Sequence, residues 1–303
     1  MLNIVAFQIR VEDAMQNEIV AEDPFQHIKI RSLIGWLFIG MIPAIIMSFI
    51  ISELTEVDPS LGSIIILSFL SIWPLFWVLH KFSVHHIKMH QFLGVFPQEK
   101  KWLQWIFTVV MLIGFSFGSV YLLWYPLSFP FPLFVDAYFL SKSTFFSAFG
   151  VPYPLYTVLL ETSLIVLVAP IIEELIFRGV ILHRWSVKWG LRKSMIFSSL
   201  LFGILHADII GGVVFGLVMS ILYLRTKSLW VPIFCHMLIN ASALAMEGII
   251  YAYTGPVKET ISDFRSDAWI GLVCLVVTAP WVMRFLSKSE FISKREAVTT
   301  LTI

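Results

Sequence analysis

Residues 153–178 read YPLYTVLLETSLIVLVAPIIEELIFR, and this stretch decides the fold. It is mostly apolar and long enough to cross a bilayer core as a helix, which takes about 20 residues. Near its end stand two adjacent carboxylates, Glu173 and Glu174, followed by Arg178. Charged groups inside a membrane-spanning segment are costly, so each one there is a site hypothesis by default.

The rest of the chain has the same character. Of 303 residues, 58% are apolar and only 14% charged, and the mean hydropathy is +0.86. Soluble domains carry about a quarter charged residues. The composition therefore excludes a soluble enzyme, a disordered chain and a nucleic-acid binder. It points to an all-α polytopic transmembrane helix bundle in a lipid bilayer. The net charge of +1 says little, because it averages the two sides of a membrane.

Apolar segments fall at 32–52, 62–80, 102–125, 153–177, 194–207, 209–224, 229–247 and 268–286, about eight spans. The fifth and sixth are short and meet at Ala207-Asp208. Either they run slightly longer or that turn is buried in the bundle. The polar segments 1–31, 81–101, 178–193, 225–227 and 284–303 hold 18 of the 21 Lys and Arg. The alternate segments hold Lys142, Lys258 and Arg265, with nine acidic groups when Glu247 at the edge of its span is counted. Such alternation predicts that both termini are cytoplasmic.

Four regions follow. Residues 1–31 form a cytoplasmic tail, whose early acidic residues do not suit a signal peptide. Residues 32–150 hold spans one to three and an outer loop. Residues 151–247 hold spans four to seven, and 248–303 an outer loop, the last span and a cytoplasmic tail. The Phe- and Pro-rich segment 126–152 is expected as an aromatic loop at the outer interface. The segment 81–101, with His85, His86 and His90, is expected to meet anionic headgroups. A metal site from His86 and His90 at i,i+4 is the alternative, without a third ligand. Pro43, Pro74 and Pro170 are expected to kink or end helices. Gly211, Gly212 and Gly216 suggest close helix packing. Trp102, Trp105, Trp124 and Trp230 read as interface anchors. Cys235 and Cys274 read as buried thiols.

Most polar residues inside the spans lie between 161 and 240. Neighbours on a helix point about 100° apart, so Glu173 and Glu174 cannot do the same job. Glu174 and Arg178 are i,i+4 and can pair, leaving Glu173 free to face a cavity. Phe202 and His206 share one face of span five, and His236 and Asn240 one face of span seven. A purely structural network gluing helices together would explain a lone buried Asn. It explains two His, two Glu and an Arg in one region poorly.

Two chemistries fit the set. In one, Glu173 and His206 activate a water, while His236 and Asn240 stabilise the oxyanion of amide hydrolysis. In the other, His206, His236 and Glu173 bind Zn²⁺, which activates the water. Neither HExxH nor GxSxG is present, and no serine or cysteine has a local base.

The blocks Glu173-Glu174-x-x-x-Arg178, Phe202-x-x-x-His206 and His236-x-x-x-Asn240 resemble the three motifs of the CPBP intramembrane protease family, which includes type II CAAX prenyl endopeptidases and Abi-type bacterial proteins. The resemblance covers residues 150 to 245. It implies cleavage of peptide bonds in or beside the membrane. Glu173 then matches the water-activating base and His206 its partner, with Glu174 and Arg178 supporting them. His236 and Asn240 match the oxyanion pair, and Phe202 shapes the site. The family is classed as metallopeptidase, and a metal-free glutamate mechanism has also been argued. Asn240 is a poor Zn²⁺ ligand and a good oxyanion donor, which favours the latter. The substrate would be a membrane-associated peptide or protein, prenylated in one family branch. The location expected is a prokaryotic plasma membrane, with the site open to the cytoplasm. A silent scaffold or immunity-type protein of the same fold is the alternative. A proton-coupled transporter using the two glutamates finds no repeat to support it.

Overall fold

The computed structural model describes residues 23–54, 60–97, 101–140, 155–255 and 259–288. The expectations for tails 1–22 and 289–303 and for loop residues 141–152 fall largely outside these. Eight apolar helices follow one another, α1 (Arg31–Leu54), α2 (Ser60–Val84), α3 (Trp102–Ser128), α4 (Leu155–Trp189), α5 (Leu191–Ile204), α6 (Ile209–Thr226), α7 (Trp230–Thr254) and α8 (Ala268–Ser287). No strand occurs among the described residues. Seven of the eight are long and apolar enough to cross a membrane. The exception is α5, whose 14 residues rise only about 21 Å at 1.5 Å per residue, short of a core about 30 Å thick. The chain is thus a polytopic helical membrane protein.

Helix α6 is the hub: 61% of its apolar window is buried, against 11% for α1, which lies outermost against α2. Around α6 lie α5, α3 and α7, while α8 packs on α3 and α2 on α4. Small residues allow the closest approach. A Cβ on Gly212 would lie 2.9 Å from the Gly203 Cα, and one on Gly216 2.8 Å from the Ser199 Cβ. With no side chain between them, α5 and α6 form a tight hairpin, as the glycines on span six suggest.

The turn of that hairpin is tied to α3, although Ile204, Leu205 and Ala207 are exposed and the turn is not buried in the bundle. Asp208 caps α6 by accepting from the Gly211 N–H at 2.9 Å. It also accepts from the hydroxyls of Ser116 and Ser119 on α3. The indole of Trp124 donates to the Ala207 carbonyl at 3.3 Å. The backbone of a turn at membrane depth needs such partners, since lipid offers none.

The prolines do not end their helices: Pro43, Pro74 and Pro170 all lie within continuous helix. Ahead of Pro170 the chain makes a π-helical turn, Leu164–Val168. The wider turn suits the missing N–H and the bulk of the ring. A second π-helical stretch, Leu175–Ile181, follows the glutamates.

Three local expectations change. The segment expected as a loop at 126–152 is partly helical in its described part, with α3 running through Pro126 to Ser128 and a helical turn at Pro132–Val135. Pro132 occupies a first-turn position, where its missing N–H costs nothing. Trp105 and Trp124 are buried in the bundle, whereas Trp102 and Trp230 are exposed. Trp124 stacks with Phe139 at 5.1 Å, which covers this end of the bundle. Near the other end, the α2 helix stops before Lys88 and a new short helix, Met89–Leu93, begins. His86 and His90 therefore do not sit one turn apart on a single helix, and His85 stacks instead with His27 at 6.0 Å.

Candidate active site

Three helices meet at the motifs. From α4 come Glu173, Glu174 and Arg178, from α5 Phe202, and from α7 His236 and Asn240, while His206 stands in the turn just past Ile204 and not, as expected, on the helix itself. The two glutamates part as their 100° separation requires. Glu174 is fully buried, and its Oε1 accepts from Arg178 Nη1 at 2.7 Å and from His236 Nδ1 at 3.0 Å. Glu173 points the other way, its side chain 33% exposed, toward His206, 39% exposed.

Arg178 is the fixed centre of the buried side. Its second terminal nitrogen donates to the Gly216 carbonyl at 3.2 Å. The guanidinium also lies 5.0 Å from the Phe202 ring centre and 5.6 Å from that of Phe215, within cation–π range. Burying an ion pair costs several kcal/mol of desolvation per ion, roughly, unless such partners complete it.

The imidazoles are oriented by what their Nδ1 atoms meet. His206 Nδ1 lies 2.7 Å from the Phe202 carbonyl, and the ring stacks on Phe202 at 4.2 Å. A carbonyl only accepts, so Nδ1 carries the hydrogen. The same logic applies to His236 against the Glu174 carboxylate. Both rings therefore present Nε2 to Glu173, whose Oε2 is 3.8 Å from each. That atom has no hydrogen-bond partner, although solvent scarcely reaches it. A distance of 3.8 Å is too long for a direct bond and suits one bridging water.

Two imidazole nitrogens and a carboxylate are donor types that Zn²⁺ takes. Yet among the described residues no three His, Cys, Asp or Glu are grouped closely enough to hold a metal ion. Bonds of about 2.0–2.1 Å in a tetrahedral shell bring donors to about 3.4 Å, closer than the 3.8 Å here. The donors match in kind and not in spacing.

Asn240 sits with its side-chain amide donating to the Ile165 carbonyl at 2.9 Å, in the first π-helical turn of α4. One N–H is thus committed to helix packing and the other is left. Sequence reasoning missed Phe215, which meets His236 edge-on at 4.8 Å, and the Gly216 carbonyl that anchors Arg178. Their only sequence signal was the glycine-rich start of span six.

Residues 155–242 match the sequence model of the family described as type II CAAX prenyl endopeptidase Rce1-like. A stretch of 84 residues is 38% identical to the protein named "Putative membrane peptidase YdiL" of Bacillus subtilis (strain 168). The stretch covers 27% of this chain and 34% of that relative's length. No solved structure matches. The segment that bears the three motifs is therefore similar to this family, and the chain spans about a third of the length of the curated relative it matches.

Proposed function

We propose that the protein is an intramembrane endopeptidase that hydrolyses a membrane-associated peptide or protein with water activated by Glu173. The observation that carries this reading is the 3.8 Å spacing of Glu173 Oε2 from both His206 and His236 Nε2. A water held there donates one proton to Glu173 and the other to His206. Glu173 takes the first proton as the oxygen attacks the peptide carbonyl carbon, and the C=O electron pair moves onto oxygen. His236 in its doubly protonated form, supported by Glu174, donates Nε2–H to that oxyanion, and the remaining Asn240 N–H is the second donor. Glu173 then passes its proton to the amide nitrogen as the C–N bond breaks. Arg178 keeps Glu174, and through it His236, in place.

The Lys- and Arg-rich segments support a cytoplasmic face for the ends near Arg178 and Lys227, and hence a site served from the cytoplasm. A scaffold of the same fold would have no use for Glu173 turned away from its buried neighbour. Glu173→Ala and His206→Ala are each expected to abolish cleavage of a peptide library while the protein still inserts. Full activity in both variants would overturn the reading.

A further inference from the structure

The hydrogen-bonded core of the site continues beyond the three motifs to His183. This ring is buried, and its Nδ1 lies 2.9 Å from the backbone carbonyl of Arg178. The carbonyl belongs to the π-helical stretch Leu175–Ile181, where the ordinary α-helical ladder is interrupted and carbonyls need other partners. Because a carbonyl only accepts, Nδ1 carries the hydrogen. Nε2 is then free to accept from the Tyr223 hydroxyl of α6 at 3.3 Å.

The far face of the ring is covered by the segment ahead of α1. Phe25, buried, stacks on His183 with centroids 5.0 Å apart and planes at 25°. Phe25 lies in the helical turn Pro24–His27, capped by Asp23, which accepts from the Phe25 N–H at 2.9 Å. Arg184 donates from Nε to the Ile28 carbonyl at 2.7 Å and ties the same segment to α4. Tyr223 and Phe25 thus hold the imidazole from α6 and from the start of the chain.

We infer that His183 is a positioning residue for the hydrolysis, clamped by Phe25 and Tyr223 so that it fixes the backbone that carries Arg178. The path is short and made of direct contacts. His183 holds the Arg178 carbonyl, and the Arg178 side chain holds Glu174 at 2.7 Å. Glu174 holds His236 at 3.0 Å, and His236 faces Glu173. Displacement of about 1 Å far from a reacting centre can cost about 100-fold in rate. The inference rests on the peptidase reading of this site.

The test uses purified full-length protein in lipid nanodiscs, with His183→Ala, His183→Asn, His183→Gln and Phe25→Ala compared with wild type. His183→Ala and Phe25→Ala are expected to lower kcat by roughly 10- to 100-fold with KM little changed. Asn keeps an N–H near the Nδ1 position and is expected to restore most of the loss, whereas Gln, one bond longer, does not. Equal kcat in His183→Ala and wild type would overturn the inference. So would equal failure of Asn and Gln together with a matching fall in the amount of folded protein. A second readout needs no substrate: the ¹⁵N shifts of the His236 imidazole, which report its bond to Glu174. They are expected to move in His183→Ala and return in His183→Asn. Unmoved signals would overturn the inference whatever the activity. Signals that move in His183→Ala when the wild type cleaves nothing would keep the link from His183 to His236 and count against the peptidase reading on which its catalytic meaning rests.

Discussion

His236 Nδ1 lies 3.0 Å from Oε1 of Glu174, so the buried carboxylate orients an imidazole whose other nitrogen faces Glu173. Adjacent glutamates thereby do separate work. One is sealed in a network with Arg178, and the other stands at the partly open edge of the site.

The sealed network makes Arg178 the residue whose loss costs most stability. Arg178→Met strands the Glu174 carboxylate in the bundle, and loss of one partner of a buried pair costs about 3–5 kcal/mol. Arg178→Lys restores the charge but cannot reach Glu174, the Gly216 carbonyl and the Phe202 face together. Unfolding in detergent, by heat or denaturant, should rank wild type above Lys and Lys above Met. A Met variant as stable as wild type would show that the pair is dispensable.

The α5–α6 hairpin sets the position of His206. A Cβ on Gly203 would lie 2.5 Å from the Ile209 carbonyl and 2.7 Å from the Val213 nitrogen, backbone atoms that cannot swing aside. Gly203→Ala is expected to pry the helices apart and destabilise by about 1–3 kcal/mol, the usual cost of overpacking. Because His206 follows on the same helix end, cleavage should fall more than the folded fraction does. Loss of stability with unchanged specific activity would argue against this coupling.

Asn240 is asked to serve both packing and catalysis. Asn240→Ala loses the bond to the Ile165 carbonyl and, in the proposed mechanism, one oxyanion donor, worth about 10²–10³ in kcat. The measurement is kcat at saturating substrate beside thermal stability. A small thermal loss with intact kcat would assign Asn240 to packing alone.

Docking of the segment ahead of α1 should depend on pH. Burial above all, then the charges of His27, Lys81, His80 and His86, hold the His85 imidazole below its usual 6.5. The docked state therefore binds fewer protons than the released one. Its stability is present above the released value of about 6.5 and is lost as pH falls from there through the lower docked value. Amide exchange of residues 24–30, corrected for intrinsic rates, should rise between pH 7.5 and 5.5 and lose that dependence in His85→Asn. Equal protection at both values would exclude the link.

Much of this site was legible in the sequence, for a physical reason. Carboxylates and imidazoles inside apolar spans are expensive, so the six side chains stood out against a uniform background. Helical geometry alone separated Glu173 from Glu174 and paired Glu174 with Arg178. The brevity of α5 was visible in the length of its apolar run, and the sharp turn after it in Asp208. The π-helical turns were not legible, because one added residue scarcely disturbs the apolar pattern. Neither was the hold of Asn240 on Ile165 or of His183 on Arg178, since a backbone acceptor leaves no mark in the sequence. Trp105 and Trp124 misled because an indole suits a bundle core and an interface equally.

The central claim is that Glu173 activates the water. It is tested most directly by cleavage of a peptide library with wild type and Glu173→Gln, in membranes of equal protein content, with and without a strong chelator. The account predicts cleavage by wild type that survives chelation, and a fall of at least about 100-fold in Glu173→Gln. Undiminished cleavage by Glu173→Gln would contradict it. Cleavage abolished by the chelator and restored by Zn²⁺ would instead place Glu173, His206 and His236 around a metal ion.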